Sequence, residues 1–109
     1  MEFDRTISPD DHMVTASLEA YFRTTQSAVK SIVKSLRANG RTSDDVTAAM
    51  DFGCGYGRVY RAFPSLFPGA TITAVDLMED AVRFCTETFG GAGVISNENF
   101  EMTLHEELI

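Results

Sequence analysis

The chain has 109 residues, 44% of them hydrophobic and 23% charged, with a formal net charge of -7. This is the make-up of one small soluble globular domain, neither disordered nor fibrous. The negative balance argues against nucleic acid as a partner, because phosphate is held by clustered Lys and Arg. No apolar run approaches the roughly 18 residues of a membrane span, and the opening MEFDRTISPDD is too acidic and polar for a signal peptide, so a cytoplasmic protein with no membrane partner is expected.

In chain order, Ser8-Pro9-Asp10-Asp11 carries the signals of a helix start, with serine as cap, proline at the first helical position and an acid at the capping-box position. The periodicity sharpens after Thr24-Thr25, where Ala28, Val29, Ile32, Val33 and Leu36 recur at helical spacing and Lys30, Lys34 and Arg37 take the other face. Asn39-Gly40 is a stop. A break near residues 21–25 is expected, since β-branched threonines weaken a helix. The N-terminal helical segment therefore spans residues 1–45, and a second portion, 46–109, packs with it as one unit.

Residues 46–52 read as a short buried strand ended by Gly53, and residues 57–67 as a helix that Pro64 ends or kinks. After the Pro68-Gly69 turn, residues 70–76 form the clearest strand, β-branched through its middle and closed by Asp76. Glu79 to Phe89 is helical, with acids in its first turn and Gly90-Gly91 as its stop. Residues 93–96 make a third strand, and the acidic remainder NENFEMTLHEELI has little pattern. Strand, helix, strand, helix, strand implies a parallel α/β unit, half of a doubly wound sheet. Cys54 and Cys85 stand far apart in unrelated contexts and read as free thiols, neither a disulfide framework nor a metal site.

The stretch DFGCGYGR, residues 51–58, is where chemistry concentrates. A ligand of such a sheet binds at the carboxyl ends of the strands, and the loop after the first strand is the prime location. Glycine at 53, 55 and 57 removes the Cβ atoms that would block close approach. Asp76 follows Gly57 by 19 residues, at the end of the next strand, where a carboxylate can accept both hydroxyls of a ribose. Together these describe a nucleoside-bearing cofactor. Charge chooses among such cofactors: a pyrophosphate wants G-x-G-x-x-G/A and no adjacent carboxylate, whereas here the spacing is G-x-G-x-G and Asp51 stands just ahead. A cationic cofactor is favoured instead, with opposite charges ~4 Å apart worth up to ~4 kcal/mol at an effective dielectric constant near ~20, before desolvation is subtracted.

MDFGCGYGRVYRAF followed by VDLMEDAVRFC resembles the first two motifs of class I S-adenosylmethionine-dependent methyltransferases, over residues 46–96. The resemblance implies a Rossmann-like fold and S-adenosylmethionine as cofactor. It places Asp51, Gly53, Gly55 and Gly57 on the loop that holds the methionine portion, Asp76 on the ribose, and Leu77 and Met78 beside adenine. The fold expected is a truncated Rossmann-like methyltransferase half, with a short three-stranded parallel sheet, flanking helices and an N-terminal helical segment.

Members of that family are about twice as long, so the chain is expected to be an N-terminal portion that lacks the acceptor site and is inactive by itself. The resemblance assigns no catalytic residue and leaves the methyl acceptor open. His105 with Glu106 and Glu107 reads as a solvated tail. In the family's strand order the first strand is central; without a fourth strand its far edge, residues 47–52, is a pairing hazard, and a homo-oligomer that covers it is expected. Two other readings compete: a non-catalytic assembly module derived from a methyltransferase, and an NAD-binding module.

Overall fold

The computed structural model describes residues 1–97 and the two-residue strand Met102–Thr103. The β-branched run after Pro68-Gly69 lies inside the sheet: β2 (Thr71–Asp76) pairs in parallel with β1 (Ala48–Phe52) on one side and β3 (Ala92–Ser96) on the other. Asp51 stands opposite Ala74 and Phe52 opposite Val75, so the two strands end level at the carboxyl rim. β4 (Met102–Thr103) adds antiparallel to β3, giving the order β1-β2-β3-β4. A pairing of two residues is too short to show alternation, which is why the sequence carries no sign of it.

The helices are α1 (Leu18–Ala38), the single turn α2 (Phe63–Leu66) and α3 (Glu79–Phe89). None is long and apolar enough to cross a membrane. Two right-handed crossovers that step in the same direction carry their connections over one face of a sheet. The core reflects this. Ile72 and Ala74, with Ala49 beside them, pack with Tyr60, Phe63, Leu66, Phe67, Val82, Cys85 and Phe89, and α1 adds Val29, Ile32, Val33 and Leu36. Gly93 shares that face, since a Cβ there would meet Val82 at 2.6 Å. The alternate residues point to the other face, where Val75 and Val94 are buried while Met50 is 49% and Phe52 51% exposed.

Two expectations for the N-terminal segment are corrected. The helix begins at Leu18, capped by Ser17, whose Oγ accepts the Ala20 N–H at 3.0 Å. Ser8 makes only a turn, accepting the Asp10 N–H through Oγ and the Asp11 N–H through its carbonyl. Asp11 does not close a capping box there: its carboxylate takes the Met13 N–H at 2.9 Å and the Tyr21 hydroxyl at 2.6 Å. Nor does α1 break at the threonines. Thr24 Oγ1 returns to the Ala20 carbonyl and buried Thr25 donates to the Arg58 carbonyl, so both hydroxyls are satisfied within an unbroken helix.

The segment 57–67 is a 3-10 turn (Tyr60–Ala62) running into α2 rather than one helix, with Pro64 in the first turn of α2, where its missing N–H costs nothing. α3 has the bounds its caps announced, and Gly90 ends it at φ 88°.

Candidate functional site

The loop between β1 and the 3-10 turn folds back over the end of β2. Gly53 and Cys54 both donate their N–H to the Val75 carbonyl, at 2.7 and 2.9 Å, and the Gly57 N–H closes the turn on the Cys54 carbonyl at 3.0 Å. Such tight reversal needs left-handed backbone, and Gly53, Gly55 and Gly57 have φ of 85°, 52° and 87°. The three are not equivalent. A Cβ at Gly57 would stand 2.5 Å from the Phe89 ring, whereas Gly53 and Gly55 open onto space with nothing within 4 Å. Gly57 serves packing; the other two leave an accessible surface.

Asp76 ends β2 beside this surface. Its Oδ2 accepts the Gly55 N–H at 2.8 Å and its Oδ1 the Met78 N–H at 3.0 Å. A carboxylate offers about four lone-pair sites, so acceptor capacity remains for a ligand's hydroxyls. Asp51, half-buried at the end of β1, has its pKa raised by burial first and by the charge of Asp76 second, with the Tyr60 backbone N–H opposing both. Two carboxylates that repel each other across a glycine turn make a place where a cation is stabilised. Leu77 and Met78, 53% and 51% exposed, add apolar surface directly after Asp76. The structure thus brings the loop glycines, Asp51, Asp76, Leu77 and Met78 to one rim of the sheet. The His105, Glu106 and Glu107 cluster lies outside the described residues.

Beneath the loop is a buried arginine. Arg61 is 1% exposed. Its Nε donates to the Gly57 carbonyl at 2.8 Å, Nη1 to the carbonyls of Asp4 and Thr6 at 3.1 and 2.8 Å, and Nη2 to the Tyr21 hydroxyl at 3.2 Å and the Tyr56 carbonyl at 3.4 Å. The guanidinium lies 4.8 Å from the Phe89 ring centre and 5.2 Å from that of Tyr21. The Nη2 contact and the Tyr21–Asp11 hydrogen bond form a chain from Arg61 to a carboxylate, and burial pushes the Tyr21 hydroxyl pKa far up. Tyr21 and Phe22 pack with Phe3 in a small cluster of their own, which accounts for both aromatics without a ligand. No local signal separates Arg61 from Arg58, because its partners lie up to 57 residues away.

Tyr56 leans on Phe84 with ring centres 5.9 Å apart. Desolvation first, and then the charges of Asp10, Asp80, Asp11 and Asp76, raise its pKa. Cys54 and Cys85, expected in separate surroundings, meet below the loop with their sulfurs 3.9 Å apart, both reduced and buried. Concavities lie elsewhere too, one lined by Ser31, Ser35, Asn39 and Arg41 and another by Pro64, Phe67, Thr71 and Gly91. Neither gathers titratable groups as the rim does.

Compared with known proteins, the chain matches no protein-family model and no curated protein.

Proposed function

We propose that this chain is the cofactor-binding portion of a class I S-adenosylmethionine-dependent methyltransferase, with the methyl acceptor bound by residues beyond those described. The observation that supports it most is the closure of Asp76 on Gly55 at 2.8 Å, with the second carboxylate of Asp51 beside it. A nucleoside enters over Gly53 and Gly55, its ribose hydroxyls donate to Asp76, and Leu77 and Met78 flank the base. The sulfonium and ammonium of the methionine portion lie toward Asp51, where a phosphate would be repelled. The chain's own contribution to transfer is alignment of the cofactor and exclusion of water, since none of its residues is assigned as a base.

Calorimetric titration with S-adenosylmethionine, S-adenosylhomocysteine and NAD tests this. Binding of the first two, with S-adenosylmethionine the tighter because of its sulfonium charge, supports the reading. Binding of NAD alone overturns it in favour of a dinucleotide module. A second reading, a non-catalytic assembly module, rests on β1, which among the described residues forms the outer edge of the parallel sheet. A homo-oligomer that pairs or covers this edge fits either reading, and absence of any nucleoside binding would leave the assembly reading standing.

A further inference from the structure

Cys54 and Cys85 are 31 residues apart in sequence and 3.9 Å apart between sulfurs. Both thiols point at one acceptor: Cys54 Sγ lies 3.4 Å and Cys85 Sγ 3.3 Å from the Gly55 carbonyl oxygen. The two belong to unlike parts of the fold. Cys85 is fully buried on α3, held among core side chains. Cys54 lies on the loop between Gly53 and Gly55, both at positive φ, a region that glycine enters without the Cβ penalty of other residues. A disulfide needs its sulfurs about 2.05 Å apart, so a closure of roughly 2 Å suffices, and the glycines on either side of Cys54 can supply it.

We propose that Cys54 and Cys85 are a redox-sensitive pair, converted by a hydroperoxide to an intramolecular disulfide that ties the glycine loop to α3. Cys54, the less buried of the two, loses its proton and its sulfur attacks the peroxide oxygen; the O–O bond breaks, an alcohol or water departs, and a sulfenic acid remains. The Cys85 sulfur, deprotonated in turn, attacks the Cys54 sulfur, the S–S bond forms, and the hydroxyl leaves as water. In sum, two thiols and one hydroperoxide yield one disulfide, one alcohol or water and one further water, so two electrons pass from the sulfurs to the peroxide.

The consequence is local. The bond removes both S–H donors from the Gly55 carbonyl, and it is the N–H of that same residue that binds Asp76. Oxidation therefore reshapes the rim itself. Cys85 beside it and burial both push the Cys54 thiol above its ordinary range, so attack proceeds through transient opening of the loop, and the pair responds to sustained oxidant. In a reducing compartment the bond is transient, as a sensor requires.

The full chain, exposed to hydrogen peroxide in native buffer, quenched, unfolded and alkylated, tests the proposal by intact mass and peptide mapping. The expected product takes up no alkylating agent, weighs two hydrogens less than the reduced chain, and shows one cross-linked pair of peptides containing Cys54 and Cys85. Dithiothreitol restores both alkylation sites. The variant Cys85→Ser is expected to stop at a Cys54 sulfenic acid trapped by dimedone. Two alkylated thiols after prolonged exposure would overturn the proposal, as would sulfinic or sulfonic acid as the main product, or disulfides only between chains. None of these outcomes depends on which ligand the rim takes.

Discussion

The Asp76 carboxylate at the end of β2 accepts the backbone N–H of Gly55 at 2.8 Å, so the acid and the glycine loop are locked to each other before any ligand arrives. Removing the acid in Asp76→Ala strips the charged acceptor from two N–H donors, and a loss of about 1–3 kcal/mol is expected in urea denaturation. Asp76→Asn keeps an acceptor oxygen and should lose less stability, yet lower S-adenosylmethionine affinity by on the order of tenfold or more in calorimetric titration. Equal affinity in parent and Asn variant would remove Asp76 from the ribose role.

The loop glycines separate by function. In Gly57→Ala the new Cβ meets the Phe89 ring at 2.5 Å on backbone with φ 87°, so both packing and conformation suffer. A cost of about 2–4 kcal/mol is expected from the strain and overpacking together. Gly55→Ala meets nothing within 4 Å and carries only the conformational cost, about 1 kcal/mol. Its larger effect should fall on ligand affinity, because the methyl group occupies the approach. Thermal unfolding with and without ligand distinguishes the two; a Gly57 variant milder than the Gly55 variant would contradict the assignment.

Asp51 works against stability at the rim where the cofactor is proposed to bind. Burial and Asp76 raise its pKa in the folded chain, so the protonated form is the one that folding favours. Its contribution is fully present below the unfolded carboxyl value and is lost as pH rises through the raised folded value. Asp51→Asn should therefore be more stable than the parent at neutral pH, with the difference shrinking on acidification. The carboxyl of Asp4, lowered by its hydrogen bonds to Thr6, has the opposite sign in both chains and cancels in the comparison. S-adenosylmethionine affinity should fall by about tenfold in the same variant, through the lost charge. A neutral-pH melting temperature below the parent's would show that Asp51 is stabilised by a partner.

Arg61 is predicted to be the costliest single position. Arg61→Ala takes the guanidinium donors from the carbonyls of Asp4, Thr6 and Tyr56 and from the Tyr21 hydroxyl, and leaves the Gly57 carbonyl only the backbone N–H of residue 61; a loss of about 3–5 kcal/mol is expected, a large part of the stability of a domain of this size. Arg61→Lys keeps the charge but cannot span the same acceptors, since an ammonium is a compact point donor, and should fall between. Trypsin gives an independent readout, because cleavage after Arg5 should accelerate as the N-terminal residues detach. Unchanged proteolysis in the Lys variant would show that these residues are held by other means.

The outer edge of β1 predicts self-association. Met50 is half-exposed on the sheet face opposite the helices, and among the described residues the main-chain groups of β1 on the side away from β2 form the edge of the sheet. Sedimentation at micromolar concentration should show a dimer that weakens severalfold in Met50→Lys. A single monomeric species at all concentrations would count against the homo-oligomer.

Legibility followed the range of the forces involved. β2 and α3 were readable because β-branched runs, acids in the first turn and a glycine stop act within a few residues, and the rim was readable because glycine spacing and a strand-ending acid are local as well. The N-terminal start lies elsewhere because the Asp11 carboxylate is taken up by the Met13 N–H and by the Tyr21 hydroxyl, ten residues on, and closes no capping box with Ser8. The threonine break failed for the same kind of reason, Thr25 finding the Arg58 carbonyl 33 residues away. The burial of Arg61 and the meeting of Cys54 with Cys85 left no trace in spacing, since each depends on how α1, α3 and the loop converge.

The guanidinium of Arg61 is bound almost wholly by main-chain oxygens, and that makes what Asp4 and Thr6 give it a matter of path and not of side chain. Any side chain at positions 4 and 6 still presents its carbonyl, so exchange there should cost only the exposed hydrogen bonds between Asp4 and Thr6. Excision of the same stretch, by contrast, would strand an organic cation in an oily interior with the acceptors of Asp4 and Thr6 gone.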